Sequence, residues 1–119
     1  MSEPLFHIAT AAAWTHSAGP YVPADFAREG FIHCSTQRQV MRTADALFSG
    51  RSDLVLLMID TERVGAPIRY ENLEGGSELF PHIYAPLPRA AVVAVEPLRV
   101  RSNGTFDPAS LERCLTQWT

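Results

Sequence analysis

Short apolar blocks bounded by turn residues recur along the chain and predict β-strands. They cover residues 5–9, 31–34, 53–60, 67–71, 79–84 and 90–98. The third block, DLVLLMID, is nearly continuous in apolar residues, which is typical of a central strand covered on both faces. We therefore predict six strands, with residues 53–60 inside a sheet.

Helical signals separate and follow these blocks, at residues 11–19, 23–29, 36–49 and 107–118. The third helix is the best defined, because Thr36 and Gln39 form a T-x-x-Q capping box at its start. Its apolar residues recur at the spacing of one buried face: Val40, Ala44, Leu47 and Phe48. Asp107 is predicted to cap the last helix, whose inner face carries Leu111, Cys114, Leu115 and Trp118.

The order of these elements favours an α+β fold, since the helices are grouped in the first half and the strands in the second. With 119 residues, 46% hydrophobic and 19% charged, the chain is of a size that forms one domain with a single core. The sequence contains no repeat or linker signal. We predict one domain over residues 1–119, with helices packed on a sheet.

Charge and cysteine usage narrow the function classes. The net charge is −3 without a basic run, so nucleic-acid binding is not expected. The longest apolar run, residues 54–59, is too short for a membrane span. The first ten residues, MSEPLFHIAT, lack the pattern of a secretion signal, and Cys34 and Cys114 lie far apart. We expect a cytoplasmic protein with free thiols, and the oligomeric state stays open.

The stretch GFIHCST combines several chemically useful side chains at the junction of a strand and a helix. Strand alternation places His33 and Ser35 on one face and sends Cys34 inward. The helix that follows presents free N–H groups, which suit a phosphate or sugar ligand. A thiol nucleophile at Cys34 is the alternative, but alternation favours a buried cysteine.

Further candidates lie in other strands. We expect five residues to converge on one cleft: His7, His33, Ser35, Glu71 and His82, with Tyr84 closing it. Glu71 and His33 are the catalytic candidates and the others are ligand contacts. A core-edge imidazole or a surface glutamate is the structural alternative in each case. No metal site is predicted, because neither H-x-x-x-H nor C-x-x-C occurs.

Five segments together resemble a known family: LFHIAT, GFIHCSTQRQV, DLVLLMID, RYE and LFPHIYAPL. They are similar to the bacterial family called domain of unknown function 952, over roughly residues 4–98. The resemblance implies a fold like that of the ADP-ribosyltransferases, in which a split, mixed β-sheet clasps NAD. His7 and the GFIHCST segment are similar to the first two motifs of that superfamily. Glu71 would be its late acid, although His82 and Tyr84 do not follow the superfamily pattern.

Two functions from different classes follow from these observations. The resemblance implies an NAD-utilising ADP-ribosyl transferase or hydrolase, or a degenerate relative, for which NAD is the candidate substrate. The alternative is a non-catalytic module that binds a small molecule or a partner through the same polar residues. Release of nicotinamide distinguishes the two.

Overall fold

The computed structural model describes residues 3–16, 18–73 and 75–118. Within these residues the chain forms six strands: β1 Leu5–Thr10, β2 Ile32–His33, β3 Leu54–Ile59, β4 Ile68–Glu71, β5 Phe80–Ile83 and β6 Val92–Pro97. It also forms four α-helices: α1 Ala11–Thr15, α2 Phe26–Glu29, α3 Gln37–Leu47 and α4 Ala109–Leu115. The predicted order of strands and helices, and with it the α+β class, is confirmed.

The strands form two three-stranded sheets, one with the order β1-β3-β6 and the other with the order β2-β5-β4. All pairings of these named strands are antiparallel. The mixed sheet implied by the resemblance is therefore wrong for the described residues. For β4 and β5 the reason is direct, because a short connection between consecutive strands reverses the chain and pairs them antiparallel.

Strand β3 lies between β1 and β6, as its continuous apolar sequence predicted. Leu57 and Ile59 pack into one core cluster, together with Leu5 of β1. Leu56 and Met58 point to the opposite face and pack into a second cluster. All of β3 after its second residue is buried, so the molecule builds its core on both sides of this strand.

Helix α3 covers one of these faces. The Gln39 side chain accepts the Thr36 N–H at 3.0 Å, which satisfies one of the donors at the helix start. Val40 and Ala44 are fully buried, as predicted. Leu47 is 67% exposed, so its predicted place in the core is wrong. It lies in the last turn of α3 and lines an open cleft instead of packing on the sheet.

Most of the remaining elements are shorter than predicted, whereas β1 extends one residue further, to Thr10. Helix α1 is capped by the Thr10 side chain, which accepts the Ala13 N–H, and it ends at Thr15. Gly30 ends α2 with a φ of 81°, a left-handed conformation that favours glycine. Asp107 accepts the Ala109 N–H at 3.0 Å at the start of α4. Of the predicted turn at residues 74–77, Glu74 lies outside the described residues.

No helix in the described part of the chain is both long enough and apolar enough to cross a bilayer.

Two adjacent leucines test whether β3 is covered on both faces. Leu56→Ala and Leu57→Ala each remove a fully buried side chain, one from each core cluster. We expect each change to lower the free energy of unfolding by about 2–5 kcal/mol, measured by urea denaturation. Leu47→Ala is the matched control and should have an effect within about 0.5 kcal/mol. A small effect of only one β3 substitution would show that one face of the strand is open.

Candidate functional site

A cleft of about 1260 Å³ is lined by strands of both sheets and by the C-terminal half of α3. Its volume lies somewhat above the range usual for small-molecule sites. Five of the residues predicted to converge do line this cleft: His7, His33, Ser35, Glu71 and His82. Tyr84 is connected to this group because its hydroxyl donates a hydrogen bond to Glu71. The predicted convergence of these side chains is therefore present in the structure.

Glu71 is held by two donors at the end of β4. Its Oε1 accepts the Tyr84 hydroxyl at 2.5 Å and His82 Nδ1–H at 2.9 Å. The hydrogen bond from Tyr84 and then that from His82 lower the pKa of Glu71 below its usual value. The carboxylate is 24% exposed whereas His82 is nearly fully buried. Glu71 is thus an oriented, ionised carboxylate at the cleft surface.

An aromatic wall stands beside this carboxylate. The Phe31 ring stacks on the His82 ring, with centroids 4.2 Å apart and an interplanar angle of 25°. Phe31 also contacts the rings of His33 and Tyr84, at centroid distances of 4.7 Å and 5.3 Å. Phe31 was not among the predicted site residues. Its position two residues before His33 was the available signal, since strand alternation places both on one face.

His7 uses both ring nitrogens inside the protein. Nδ1–H donates to the His33 carbonyl at 2.6 Å, and Nε2 accepts the Tyr21 hydroxyl at 2.8 Å. A neutral imidazole satisfies both bonds, and burial lowers the pKa of His7 to about 4. His7 therefore holds β1 against β2 and Tyr21. The predicted ligand contact at His7 has no free ring nitrogen to use.

His33 lies among carboxylates at the mouth of the cleft. Its Nε2 is 3.4 Å from Glu29 Oε1, and its side chain is 42% exposed. Three potential metal-ligand atoms lie within 4.8 Å of one another: one carboxylate oxygen each of Asp25 and Glu29, and one ring nitrogen of His33. No metal site was predicted, and neither Asp25 nor Glu29 was among the predicted site residues. The regular four-residue spacing of Asp25, Glu29 and His33 was the available signal.

Cys34 is buried in a core cluster, as strand alternation predicted, and its neighbour Ser35 is buried as well; both contribute to the cleft lining. Ser35 is buried, and its hydroxyl makes no hydrogen bond with the part of the chain that the structure describes. Cys34 and Cys114 are both buried and free, so the predicted absence of a disulfide between them is confirmed. Burial raises the pKa of the Cys34 thiol far above its usual range. Cys34 is therefore unsuited to act as a nucleophile.

The start of α3 does not face the cleft, contrary to our expectation for a phosphate-binding helix terminus. The Thr36 N–H donates to Gln39, and the first residues of α3 line a separate depression of about 590 Å³. The capping box thus occupies one of the donors that the prediction assigned to a ligand.

The cleft is acidic. Among the described residues, its lining contains four carboxylates, those of Asp25, Glu29, Glu71 and Glu78. Arg42 is the one arginine or lysine among the described residues of the lining, and it pairs with Glu78 at 2.5 Å. The charges therefore favour a cationic group in the cleft over an unaccompanied anion.

Comparisons with known proteins extend over most of the chain. The family described as protein of unknown function (DUF952) matches residues 8–95. Two crystal structures of protein CC0527 from Caulobacter crescentus, one of them a double mutant, show 29% identity and a TM-score of 0.80 over 94% of this chain and 98% of theirs. A solution NMR structure of CC0527 shows 30% identity and a TM-score of 0.76 over 91% and 95%. No curated protein matches the chain significantly.

The buried neutral state of His7 predicts a pH dependence of stability. The pKa of His7 falls from its ordinary 6.5 to about 4 on folding, so the unfolded chain binds the proton more readily. The stability that His7 contributes is therefore full above pH 6.5 and is lost as the pH falls from 6.5 towards 4. We expect the wild type to lose on the order of 3 kcal/mol more than His7→Gln across this window, measured by urea denaturation. His16→Gln, at an exposed histidine, should keep the wild-type slope; identical slopes for His7→Gln and the wild type would contradict the assignment.

The two buried thiols predict slow labelling of the native protein. In Cys114→Ala, where Cys34 is the remaining thiol, a thiol reagent should react slowly in buffer and fully in urea. The raised pKa leaves little thiolate at neutral pH, and burial blocks access. Fast labelling of native Cys34, followed spectroscopically, would instead restore the nucleophile hypothesis.

Proposed function

This chain belongs to the DUF952 family of proteins of unknown function, and from the chemistry of its cleft we propose that it binds NAD or a closely related nicotinamide ribosyl compound. In this proposal the bound compound places its nicotinamide ribose next to Glu71. The single observation that carries the proposal is the Glu71 carboxylate, fixed by His82 and Tyr84 at the surface of a nucleotide-sized cleft.

The reaction proposed at this carboxylate is cleavage of the bond between nicotinamide and ribose. The electron pair of the C1′–N bond passes to the positively charged ring nitrogen and neutralises it, which leaves positive charge on the ribose. A fixed carboxylate stabilises that developing charge. Water or an acceptor hydroxyl then bonds to C1′ and releases a proton. The two hydrogen bonds to Glu71 support this role, because they keep the carboxylate ionised and oriented.

Shape and charge of the surrounding wall support the same ligand class. The nicotinamide ring of NAD is a flat cation, and cations are attracted to aromatic faces and to carboxylates. Phe31 and His82 form a stacked aromatic surface beside Glu71. His33 lines the same surface and stays predicted as the second catalytic side chain, and Ser35 as a hydroxyl contact. The ADP-ribosyltransferase-like fold also stays a prediction, although the sheets of the described residues are antiparallel and not mixed.

Thermal shift and nicotinamide release together test this function. NAD should raise the melting temperature of the wild type, because a ligand that binds only the folded state stabilises it. Incubation with NAD should release nicotinamide, measured by chromatography. Glu71→Gln keeps the size of the side chain but removes its charge, so release should fall about 100-fold or more.

Glu62→Gln is the matched control, because Glu62 is exposed on a short 3-10 turn away from the cleft. It should bind and cleave NAD like the wild type. Stabilisation by NAD without nicotinamide release would favour the non-catalytic binding module instead. A melting temperature unchanged by NAD, ADP-ribose and nicotinamide would contradict the proposed ligand class.

A further inference from the structure

Three potential metal ligands meet at the mouth of the cleft because of the local chain path. Asp25 immediately precedes α2 and Glu29 is its last residue, so the four-residue spacing places both on one side of the turn. Gly30 then reverses the chain, with a φ of 81°, and leads into β2, which carries His33. The result is one imidazole nitrogen and two carboxylate oxygens within 4.8 Å of one another.

The present partners of these side chains are weak. The Asp25 carboxylate makes no hydrogen bond among the described residues, and Arg28 approaches it only to 3.9 Å. Arg28 lies equally far from Glu29, and its side chain is 76% exposed, so solvent screens both contacts. Two neighbouring carboxylates repel each other, and a cation between them relieves that repulsion.

His82 supplies a second, independent indication that this part of the cleft receives a ligand. It is 3% exposed and its ring stands edge-on to His33, with centroids 5.3 Å apart. Its Nδ1–H donates to the Glu71 carboxylate at 2.9 Å, so Nε2 is the ring nitrogen left for a ligand. Within the described residues, Nε2 has no hydrogen-bond partner and is not a sealed atom of the core, so a ligand in the cleft can reach it.

We propose that Asp25, Glu29 and His33 bind one divalent transition-metal ion of the Zn²⁺ class. One imidazole with two carboxylates is a ligand set that Zn²⁺ accepts, and three protein ligands leave a coordination position open. All three ligands belong to the cleft lining, so a molecule in the cleft could reach the ion. The proposal goes beyond nicotinamide chemistry and does not depend on it, because the three ligands do not include Glu71.

The ion would also change which ligands the cleft accepts. Without it, the lining carries four carboxylates against one arginine that already has a partner. A bound divalent cation supplies the positive charge that a phosphate group requires. A bound ion would therefore let the cleft accept a phosphate group that the acidic lining alone disfavours.

Titration of the chelator-treated protein with ZnCl₂ alone, followed by calorimetry, tests the site. The wild type should bind one ion per chain at micromolar concentrations or below. Asp25→Asn and His33→Ala should each weaken Zn²⁺ binding about tenfold or more. Even the loss of a residue that only hydrogen-bonds to a metal ligand weakens binding about tenfold. Co²⁺ should give a visible absorption spectrum in the wild type that changes in His33→Ala.

His16→Ala is the matched control, because His16 is exposed and lies outside the cleft lining. It should bind Zn²⁺ like the wild type. Circular dichroism in chelator checks that each variant is folded, and Asp25→Asn preserves the shape of the side chain. Absence of stoichiometric binding, or equal affinity in the wild type, Asp25→Asn and His33→Ala, would overturn the proposal. The Zn²⁺ titration contains no nucleotide, so its result does not depend on the result of the NAD experiment at Glu71.

Discussion

Two reciprocal backbone hydrogen bonds between Phe6 and Ser35, each 2.8 Å long, join the two sheets. This junction holds together the two sheets whose residues line the cleft. It fixes the end of β2 against β1, and the His7 side chain adds a third bond to the same region by donating to the His33 carbonyl at 2.6 Å. Because Ser35 forms this junction and His33 lies two residues before it, the same contacts connect the core to the wall of the cleft.

The cleft wall formed by β1 is rigid because Phe6 and His7 have buried contacts on its two sides. Phe6 is fully buried in the core cluster that α3 covers, whereas His7 points to the opposite side. Burial of His7 would be costly if its nitrogens lacked partners, but a carbonyl and the Tyr21 hydroxyl satisfy both. A neutral, fully bonded imidazole thus connects three segments. Elements held in this way position functional side chains more accurately than mobile loops do.

The cleft combines two kinds of negative site that are separated by an aromatic surface. On one side, the Glu71 carboxylate accepts hydrogen bonds from Tyr84 and His82. In the proposed reaction it stabilises a ribosyl cation. On the other, Asp25 and Glu29 lack strong donors and surround His33. Phe31 lies between them and stacks on His82. The two proposals concern these two groups of carboxylates separately.

The sequence by itself determined the features that depend on neighbours along the chain. The continuous apolar run of β3, the capping residues of α3 and the inward direction of Cys34 all follow from local periodicity, and the structure confirms them. The tertiary structure alone decided the antiparallel pairing, the exposure of Leu47 and the approach of Asp25 to His33. Strand alternation tells which face a side chain occupies, but not which strand will lie opposite. That choice depends on packing and on the pairing of buried polar groups, which are interactions between residues far apart in sequence.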